Sequence, residues 1–529
     1  MQNIVKEFIE KKLEKSIVLE KPKDSSLGHF ATPVAFSLAK ELKKSPMILA
    51  DELVLKLENS ELFEKIEAVK GFINFTLSKS FIEKLTNEAL AKKDDFAKGD
   101  KKAEKILLEY VSANPTGPLH IGHARGAVFG DTLYKVGTYL GYPITTEYYI
   151  NDAGAQMQLL GISVSLAARD FIFKEKVKYP ESYYRGEYLV EIAEQIIEKY
   201  GKDIIYDESR FEEMAIFAKD IVMQIIIKDL SDLGINFQNF VSEKSLYSSW
   251  ENTKSVLEKN GSLYTKDEKV YLNSTKFGDD SDRVVVRENG IPTYLAGDII
   301  YHKNKFDREF DKYINIWGAD HHGYITRVKA AIEFLGNDSS KLEVILSQMV
   351  QLLKGGQPYK MSKRAGNVIL LSDITAEIGS DALRFIFLTK KSDTHLEFDI
   401  DMLKNQDSSN PIFYINYAHA RINQVFVKSN LNFEDIKDES FERLNSEALN
   451  LVYESLLLKS VLEDAFSKRD MQKITEYLYN LASSVHKFYN EHKIIGSNEE
   501  RTYLKVLSMA KLSIKTGLKL LGIEAKEIM

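Results

Sequence analysis

The chain has 529 residues and a mass of 60.4 kDa, so about three domains are expected rather than one core. It contains no cysteine, which excludes disulfide bonds, thiolate catalysis and zinc sites with cysteine ligands. The net charge of −7 argues against nonspecific coating of nucleic acid, so any RNA contact must use local basic patches.

Hydropathy and targeting signals predict where the protein works. No apolar run of about 18 residues occurs, and the first segment is amphipathic and charged, unlike a signal peptide. We therefore expect a cytoplasmic protein without a membrane partner.

Residues 1–103 are predicted to form a separate α+β domain. Helical periodicity runs through residues 5–19, 30–42, 47–57 and 81–90. Residues 71–77 alternate as a strand, and the polar stretch 91–101 is a linker.

The next segment predicts the start of a nucleotide-binding sheet. Residues 105–111 are a buried strand, 112–118 a tight loop with two prolines, and 143–150 a second strand. Between them a helix is expected from about Leu119 to Gly141. Ligands of such sheets bind beyond the carboxyl ends of the strands.

Two histidines stand at the start of this helix. His120 and His123 are three residues apart and share a face, and Gly122 allows close approach of a ligand. A helix N-terminus suits polyphosphate. The simpler alternative is a pair of exposed histidines on an ordinary helix, but the preceding loop of proline and glycine favours a site.

The string of residues 112–125, SANPTGPLHIGHAR, resembles the HIGH signature of class I aminoacyl-tRNA synthetases in the form found in arginyl-tRNA synthetases. The resemblance implies catalytic roles for His120 and His123. It also implies that ATP contacts Pro118, Leu119 and Gly122.

The layout of residues 1–103 is similar to the N-terminal domain of that family, which touches the D-loop of tRNA. By resemblance Phe72 stacks on a base and Asn74 reads its edge. A plain core role for Phe72 is the alternative.

The middle of the chain predicts an insertion in the sheet. Residues 151–156 resemble the NDxGxQ motif of the family, and residues from about 158 to 285 are mostly helical. Residues 283–287 (RVVVR) are expected to return the chain to the sheet.

The pair Tyr294 and Asp298 resembles the YxxxD motif, which holds the substrate side chain in the family. A buried guanidinium needs carboxylates, and we expect Asp298 with Glu109 to supply them. Ser112 and Asn114 are expected to hold the two ends of the α-amino acid. Taken alone, Asp298 would instead cap a helix beginning at residue 299.

Residues 313–317 are predicted as another strand of the sheet. By resemblance the residues after it cradle adenine and ribose: Gly318, Asp320, His321 and His322. An alternative chemistry is a His/Asp metal site that hydrolyses phosphoesters. Its ligands would be His120, His123, Asp320, His321 and His322.

The sequence KMSKR resembles the KMSKS loop of class I synthetases. Lys360 and Lys363 would stabilise charge that grows on the triphosphate, with Met361 and Ser362 completing the ATP contacts. Solvated loop lysines are the alternative for an isolated KxxK. The metal-site alternative leaves this motif without a role.

Residues 391–529 are predicted to be all helical. Residues 410–422 resemble the start of the anticodon-binding bundle of arginyl-tRNA synthetases. Expected tRNA contacts are Tyr414, Tyr417, His419 and Arg421, although some of these aromatic rings would belong to the core of a bundle.

The sequence thus predicts a Rossmann-like α/β catalytic domain at 104–390, flanked by an α+β domain at 1–103 and an all-α bundle at 391–529. The resemblance implies activation of L-arginine by ATP and transfer to tRNA(Arg). Mg²⁺ is expected because the charge of a triphosphate must be compensated, and we expect no zinc and a monomer. The alternatives are another class I synthetase, the metal-dependent phosphohydrolase, and a catalytically silent RNA-binding relative.

Overall fold

The computed structural model describes residues 1–22, 24–58, 60–359 and 368–529. The N-terminal part is a three-stranded antiparallel sheet, in the order β1-β3-β2, packed with helices. Its elements are α1 (Gln2–Leu13), β1 (Phe30–Thr32), α2 (Val34–Leu42), α3 (Pro46–Leu57), β2 (Phe63–Val69), β3 (Phe72–Leu77) and α4 (Lys79–Lys92).

Three details of this part differ from the prediction. The first helix ends at Leu13 because Glu14 adopts a left-handed backbone with φ of 52°. The helix expected over 30–42 begins only after Pro33, since Phe30–Thr32 pairs with β3. Strand Phe63–Val69 was missed because most of its side chains are at least partly exposed and show no apolar alternation.

A five-stranded parallel sheet forms the centre of the molecule, in the order β11-β10-β4-β5-β6. Its strands are β4 (Ile106–Glu109), β5 (Ile144–Ile150), β6 (Asn239–Ser242), β10 (Lys312–Gly318) and β11 (Leu342–Ser347). The chain adds strands on one side of β4 and then crosses to the other side. The crevice between β4 and β10 is therefore the switch point where ligands of such sheets bind.

The helices of this region pack against the sheet or belong to the segments that connect its strands. They are α5 (Ile121–Tyr139), α6 (Ala155–Ala167), α7 (Glu187–Tyr200), α8 (Phe211–Asp232), α9 (Glu243–Leu246), α10 (Trp250–Lys259), α11 (Tyr294–Phe306) and α12 (Tyr324–Phe334). Helix α5 packs against β4, β5 and β10, which fixes its N-terminus over the crevice.

The region predicted as a mostly helical insertion contains four strands. One of them, β6, is an edge of the central sheet. The others form a separate antiparallel sheet: β7 (Leu263–Lys266), β8 (Lys269–Leu272) and β9 (Arg283–Val286). The expectation that residues 283–287 rejoin the central sheet was therefore wrong, and the chain returns to it only in β10.

After the central sheet, a small sheet in the order β13-β12-β14 leads to the C-terminal helices. The elements are β12 (Val350–Lys354), β13 (Gln357–Pro358), α13 (Leu371–Ile378), α14 (Ser380–Phe387) and β14 (Leu396–Asp399). The helices that follow are α15 (Pro411–Ser429), α16 (Phe433–Ile436), α17 (Ser446–Leu456), α18 (Leu458–Lys468), α19 (Gln472–Glu491) and α20 (Glu500–Leu520).

The C-terminal bundle is fused to the catalytic sheet through buried polar contacts. Arg384 is fully buried and donates to Asp131 of α5, to Leu233 O and to Leu521 O near the end of the chain, at 2.5 to 2.8 Å. Within the described residues, no helix combines the length and the apolar character that a membrane span requires.

Candidate active site

The loop after β4 is held in a strained conformation. Val111 and Ser112 have φ of 69° and 41°, which a β-branched valine rarely adopts. The Ser112 hydroxyl donates to Glu109 Oε1 at 2.9 Å and accepts from the Tyr149 N–H at 3.1 Å. These contacts tie the loop to the neighbouring strand and aim its backbone into the crevice.

The two histidines predicted as catalytic form one stacked pair at the start of α5. His120 Nδ1 accepts from the Gly122 N–H at 3.1 Å, and His123 Nδ1 accepts from the His120 N–H at 3.4 Å. Their ring centroids are 3.7 Å apart. Burial lowers the pKa of both rings, and with the charge of His120 it lowers the pKa of His123 to about 3.

The tautomer of the pair follows from these contacts. A neutral imidazole whose Nδ1 accepts a hydrogen bond carries its proton on Nε2. Near pH 7 the helix start therefore offers two imidazole N–H donors. At Gly122 a β-carbon would lie 2.9 Å from the His120 ring, so a side chain there would displace that ring.

The start of α5 is joined to the residues just before α13. The Ile121 N–H donates to Ile369 O at 3.0 Å, and the Leu371 N–H donates to Leu119 O at 2.9 Å. The chain immediately after the KMSKR motif is therefore anchored beside the histidine pair. The motif itself, with Lys360, Met361, Ser362 and Lys363, lies outside the described residues, so the convergence of its lysines with the histidines stays a prediction.

A cavity of about 280 Å³ opens at the carboxyl ends of β4, β5 and β10. All five residues that the sequence assigns to arginine line it: Glu109, Ser112, Asn114, Tyr294 and Asp298. Two of the residues assigned to the nucleotide, Gly318 and His321, also line it.

Three carboxylates line this cavity, and one of them is already neutralised. Glu109 Oε2 accepts from the buried Lys305 ammonium group at 2.5 Å. Glu243 accepts from the Tyr247 hydroxyl at 2.9 Å, and neither it nor Asp298 forms an ion pair with a described residue. Burial, reinforced by Glu243 and Glu109, raises the pKa of Asp298 to about 7, and burial also raises the pKa of Glu243.

Unpaired carboxylates in a half-enclosed cavity attract a cation. A planar guanidinium binds carboxylates through paired N–H donors, and two carboxylates can therefore bind one guanidinium. The cavity therefore offers carboxylate acceptors to an organic cation with several N–H donors.

Glu243 is a candidate site residue that the sequence did not reveal. It follows directly on β6 and is 3 % exposed, so its position at a strand end was the available signal. That signal was hidden because β6 itself was not predicted. The alternative that Asp298 caps a helix is wrong, since Asp298 lies inside α11, whose N-cap is Thr293.

A second cavity, of about 970 Å³, contains the histidine pair. Among its lining residues are Pro118, His120 and His123, and Asn114 lines both cavities. The Leu119 side chain is fully buried in the core, so only its backbone remains to contact a ligand.

The residues after β10 divide into two groups. Gly318 and His321 face the first cavity, whereas the Asp320 side chain is 81 % exposed and His322 is exposed. In the part of the chain that the structure describes, no three His, Asp or Glu side chains are grouped to hold a metal ion. The metal-hydrolase alternative therefore has no site in the described residues.

In the N-terminal sheet only one of the two residues assigned to tRNA reaches the surface. Phe72 is half-buried, with its ring centroid 5.2 Å from that of Phe36. Asn74 is 2 % exposed because its strand position points into the core. Asn74 therefore has no surface to offer an RNA base in this conformation, contrary to the expectation.

Of the bundle residues assigned to tRNA, three lie together around His486: Tyr414, Tyr417 and Arg421. The Arg421 guanidinium lies 4.5 Å from the Tyr417 ring and 4.6 Å from the Tyr489 ring, and it donates to His486 Nδ1 at 3.1 Å. Tyr414 is half-buried beside the same His486 ring.

His419, in contrast, is fully buried, and its Nδ1 lies 2.8 Å from Lys526 O. It holds the C-terminal segment and is not positioned for RNA, contrary to the expectation.

Three family models match the chain. They are the arginyl tRNA synthetase N terminal domain over residues 1–77, the catalytic domain of tRNA synthetases class I (R) over 85–427, and the DALR anticodon binding domain over 415–529.

Curated relatives match along the full length. An arginine–tRNA ligase from Aliarcobacter butzleri is 79 % identical over 529 residues, covering 100 % of both chains. One from Campylobacter curvus is 58 % identical, again covering 100 % of both chains.

Solved structures agree with the fold. A crystal structure from Campylobacter jejuni is 55 % identical, with a TM-score of 0.83, and covers 86 % of this chain and 100 % of that chain. The arginyl-tRNA synthetase of Thermus thermophilus shares the fold at 19 % identity, with a TM-score of 0.78 and full coverage of both chains. With a catalytic-domain model over 85–427 and full-length relatives at this identity, the chain belongs to the arginyl-tRNA synthetases, a family of class I aminoacyl-tRNA synthetases.

Proposed function

We propose that the chain ligates L-arginine to tRNA(Arg) in two steps, through an arginyl-adenylate, at the crevice between β4 and β10. The observation that carries this proposal is the pair Asp298 and Glu243, two carboxylates without a described cationic partner in a cavity of about 280 Å³. Asn114 joins that cavity to the larger one of the histidine pair, so an amino acid and a nucleotide would meet there.

Asp298 and Glu243 bind the guanidinium, and Tyr294 packs against it. We assign the second carboxylate to Glu243 rather than Glu109, because Lys305 already neutralises Glu109. Ser112 and Asn114 hold the α-amino and α-carboxylate groups. A guanidinium bound by two charged acceptors is hard for another amino acid to imitate, which supports selection without a separate editing site.

In the first step an oxygen of the arginine α-carboxylate attacks the α-phosphorus of ATP. The bond from that phosphorus to the bridging oxygen breaks, and pyrophosphate leaves. ATP enters as its Mg²⁺ complex. The Nε2–H groups of His120 and His123 donate to phosphate oxygens whose charge grows during the attack.

Nucleotide contacts complete the first step. Pro118, the Leu119 backbone and Gly122 line the phosphate path, while Gly318, Asp320, His321 and His322 hold adenine and ribose. Lys360, Met361, Ser362 and Lys363 supply the remaining contacts to the triphosphate.

In the second step a hydroxyl of the terminal ribose of tRNA attacks the arginyl carbonyl carbon, and AMP leaves. Phe72, Tyr414, Tyr417 and Arg421 contact the tRNA. We propose domains at 1–103, 104–390 with an insertion at about 158–285, and 391–529. The protein would act in the cytoplasm as a monomer.

The deciding experiment is a panel of amino acids in pyrophosphate exchange, with tRNA present. We expect exchange with arginine and with no other amino acid of the panel. Exchange with another amino acid would favour a different class I synthetase. Binding of tRNA without any exchange would identify a catalytically silent relative, and chelator-sensitive phosphatase activity without tRNA would favour the hydrolase.

A further inference from the structure

Lys305 is a lysine with no exposed surface at all, placed behind the arginine cavity. Its ammonium group donates to Glu109 Oε2 at 2.5 Å and to Asn315 Oδ1 at 2.8 Å. It also lies 4.4 Å from the centre of the Tyr301 ring. Glu109 and Tyr301 line the cavity, so Lys305 sits directly behind its wall.

The register of the sheet explains why Lys305 is held there. Glu109 of β4 and Asn315 of β10 are paired across the sheet, so their side chains converge on one point. An unpaired ammonium ion would be costly to bury, but here a carboxylate, an amide oxygen and an aromatic face surround it. The contacts restrain Glu109 through one of its oxygens, and Ser112 restrains the other.

Lys305 determines how many uncompensated negative charges line the cavity. Three carboxylates line the cavity, and Lys305 compensates one of them. Without it, three uncompensated carboxylates would share a small volume, and their repulsion would favour taking up a proton. A bound proton would neutralise a carboxylate and so remove a negative charge that attracts the guanidinium.

We propose that Lys305 is a positioning residue that sets the charge of the arginine pocket: its ammonium group neutralises Glu109 and leaves Asp298 and Glu243 to bind the guanidinium. The inference rests on the proposed arginine activation. Lys305 would thus affect specificity although it does not touch the substrate.

The groups that face Asp298 support this role. Glu109 approaches it from β4 and Glu243 from α9, and both raise its pKa, whereas Lys305 on its own helix lowers it. His302 lies beside Lys305 and is neutral near pH 7, because burial and the charge of Lys305 lower its pKa to about 3.

The remaining titratable neighbours do not change the balance near pH 7. Burial, followed by the charge of nearby acids, raises the pKa of Tyr149, Tyr247 and Tyr301, which therefore stay neutral. Tyr294 also lines the cavity. His321 lines it as well and is the same in every variant compared.

The test compares Lys305→Met and Lys305→Arg with the unaltered enzyme. KM for arginine, KM for ATP and kcat are measured in pyrophosphate exchange with tRNA present, from about pH 6 to 8.5. For Lys305→Met we expect KM for arginine to rise about fivefold at pH 7, with the pH midpoint of its profile about one unit higher and KM for ATP little changed. Lys305→Arg, which keeps the charge, should restore the profile.

A double variant, Lys305→Met with Glu109→Gln, removes the buried pair together and separates charge from packing. It restores the balance of two carboxylates, so its pH midpoint should return toward that of the unaltered enzyme. In Lys305→Met alone, Glu109 stays buried without its ammonium partner, and this could prevent folding. The double variant avoids that problem, and thermal denaturation followed by circular dichroism checks the folding of both variants.

The outcomes divide cleanly. An unshifted pH midpoint in Lys305→Met, or equal rises in KM for arginine and ATP, would overturn the inference. A midpoint that stays shifted in the double variant would overturn it too. If the unaltered enzyme shows no exchange with arginine, the proposed function itself is contradicted. If the unaltered enzyme does exchange with arginine but all variants have the same pH profile of KM for arginine, only the role of Lys305 is contradicted.

Discussion

Substituting Gly297 by alanine tests the guanidinium pocket without replacing any charged residue. Gly297 lies inside α11, and a β-carbon there would be 2.5 Å from Glu243 Oε1 and 3.3 Å from the Tyr247 hydroxyl. An ordinary contact needs about 3.5 Å, so the Glu243 carboxylate must retreat by about 1 Å. A hydrogen bond to a charged group contributes about 1.5–3 kcal/mol, and losing it should raise KM for arginine about 10- to 150-fold.

The assay is pyrophosphate exchange with arginine as the varied substrate. Alanine is a better helix former than glycine by about 1 kcal/mol, so thermal stability should not fall much. Gly126→Ala is the matched control, because its β-carbon would meet Ile316 and Ser347 at an ordinary 3.7 Å. Should Gly297→Ala keep the KM for arginine of the control while remaining folded, Glu243 would not be a guanidinium ligand.

Three further predictions concern catalysis, tRNA binding and pH. His123→Ala should lower kcat by about 10²–10³ while leaving the Kd for tRNA unchanged in filter binding, because its Nε2–H acts on the growing phosphate charge. A comparable loss of tRNA affinity would contradict that role. Arg421→Ala should weaken tRNA binding and reduce its salt dependence, with little effect on the KM for arginine; unchanged tRNA affinity would exclude Arg421 from the interface. Because the pKa of Asp298 is raised to about 7, the carboxyl is protonated below that pH, and arginine must displace the proton. KM for arginine should therefore rise about tenfold per unit as the pH falls below 7, and a flat profile would contradict the assignment.

Local patterns in the sequence were enough for the elements that begin or end at a strong signal. Strand β5 was predicted to within a residue, because Pro143 marks the start of its apolar run. The start of α5 was equally clear, since a loop of prolines precedes His120. Short elements failed for the opposite reason: Phe30–Thr32 is apolar like the helix after it, and only pairing with β3 makes it a strand.

The sequence by itself determined the catalytic motifs, the order of strand and helix around them, and five of the residues that line the arginine cavity. Those features depend on neighbours along the chain. Only the tertiary structure decided that Glu243 faces Asp298, that Lys305 neutralises Glu109, and that Asn74 and His419 are buried. Contacts between distant segments leave no pattern in the sequence, and a buried polar residue does not appear in the apolar periodicity that marks a core face.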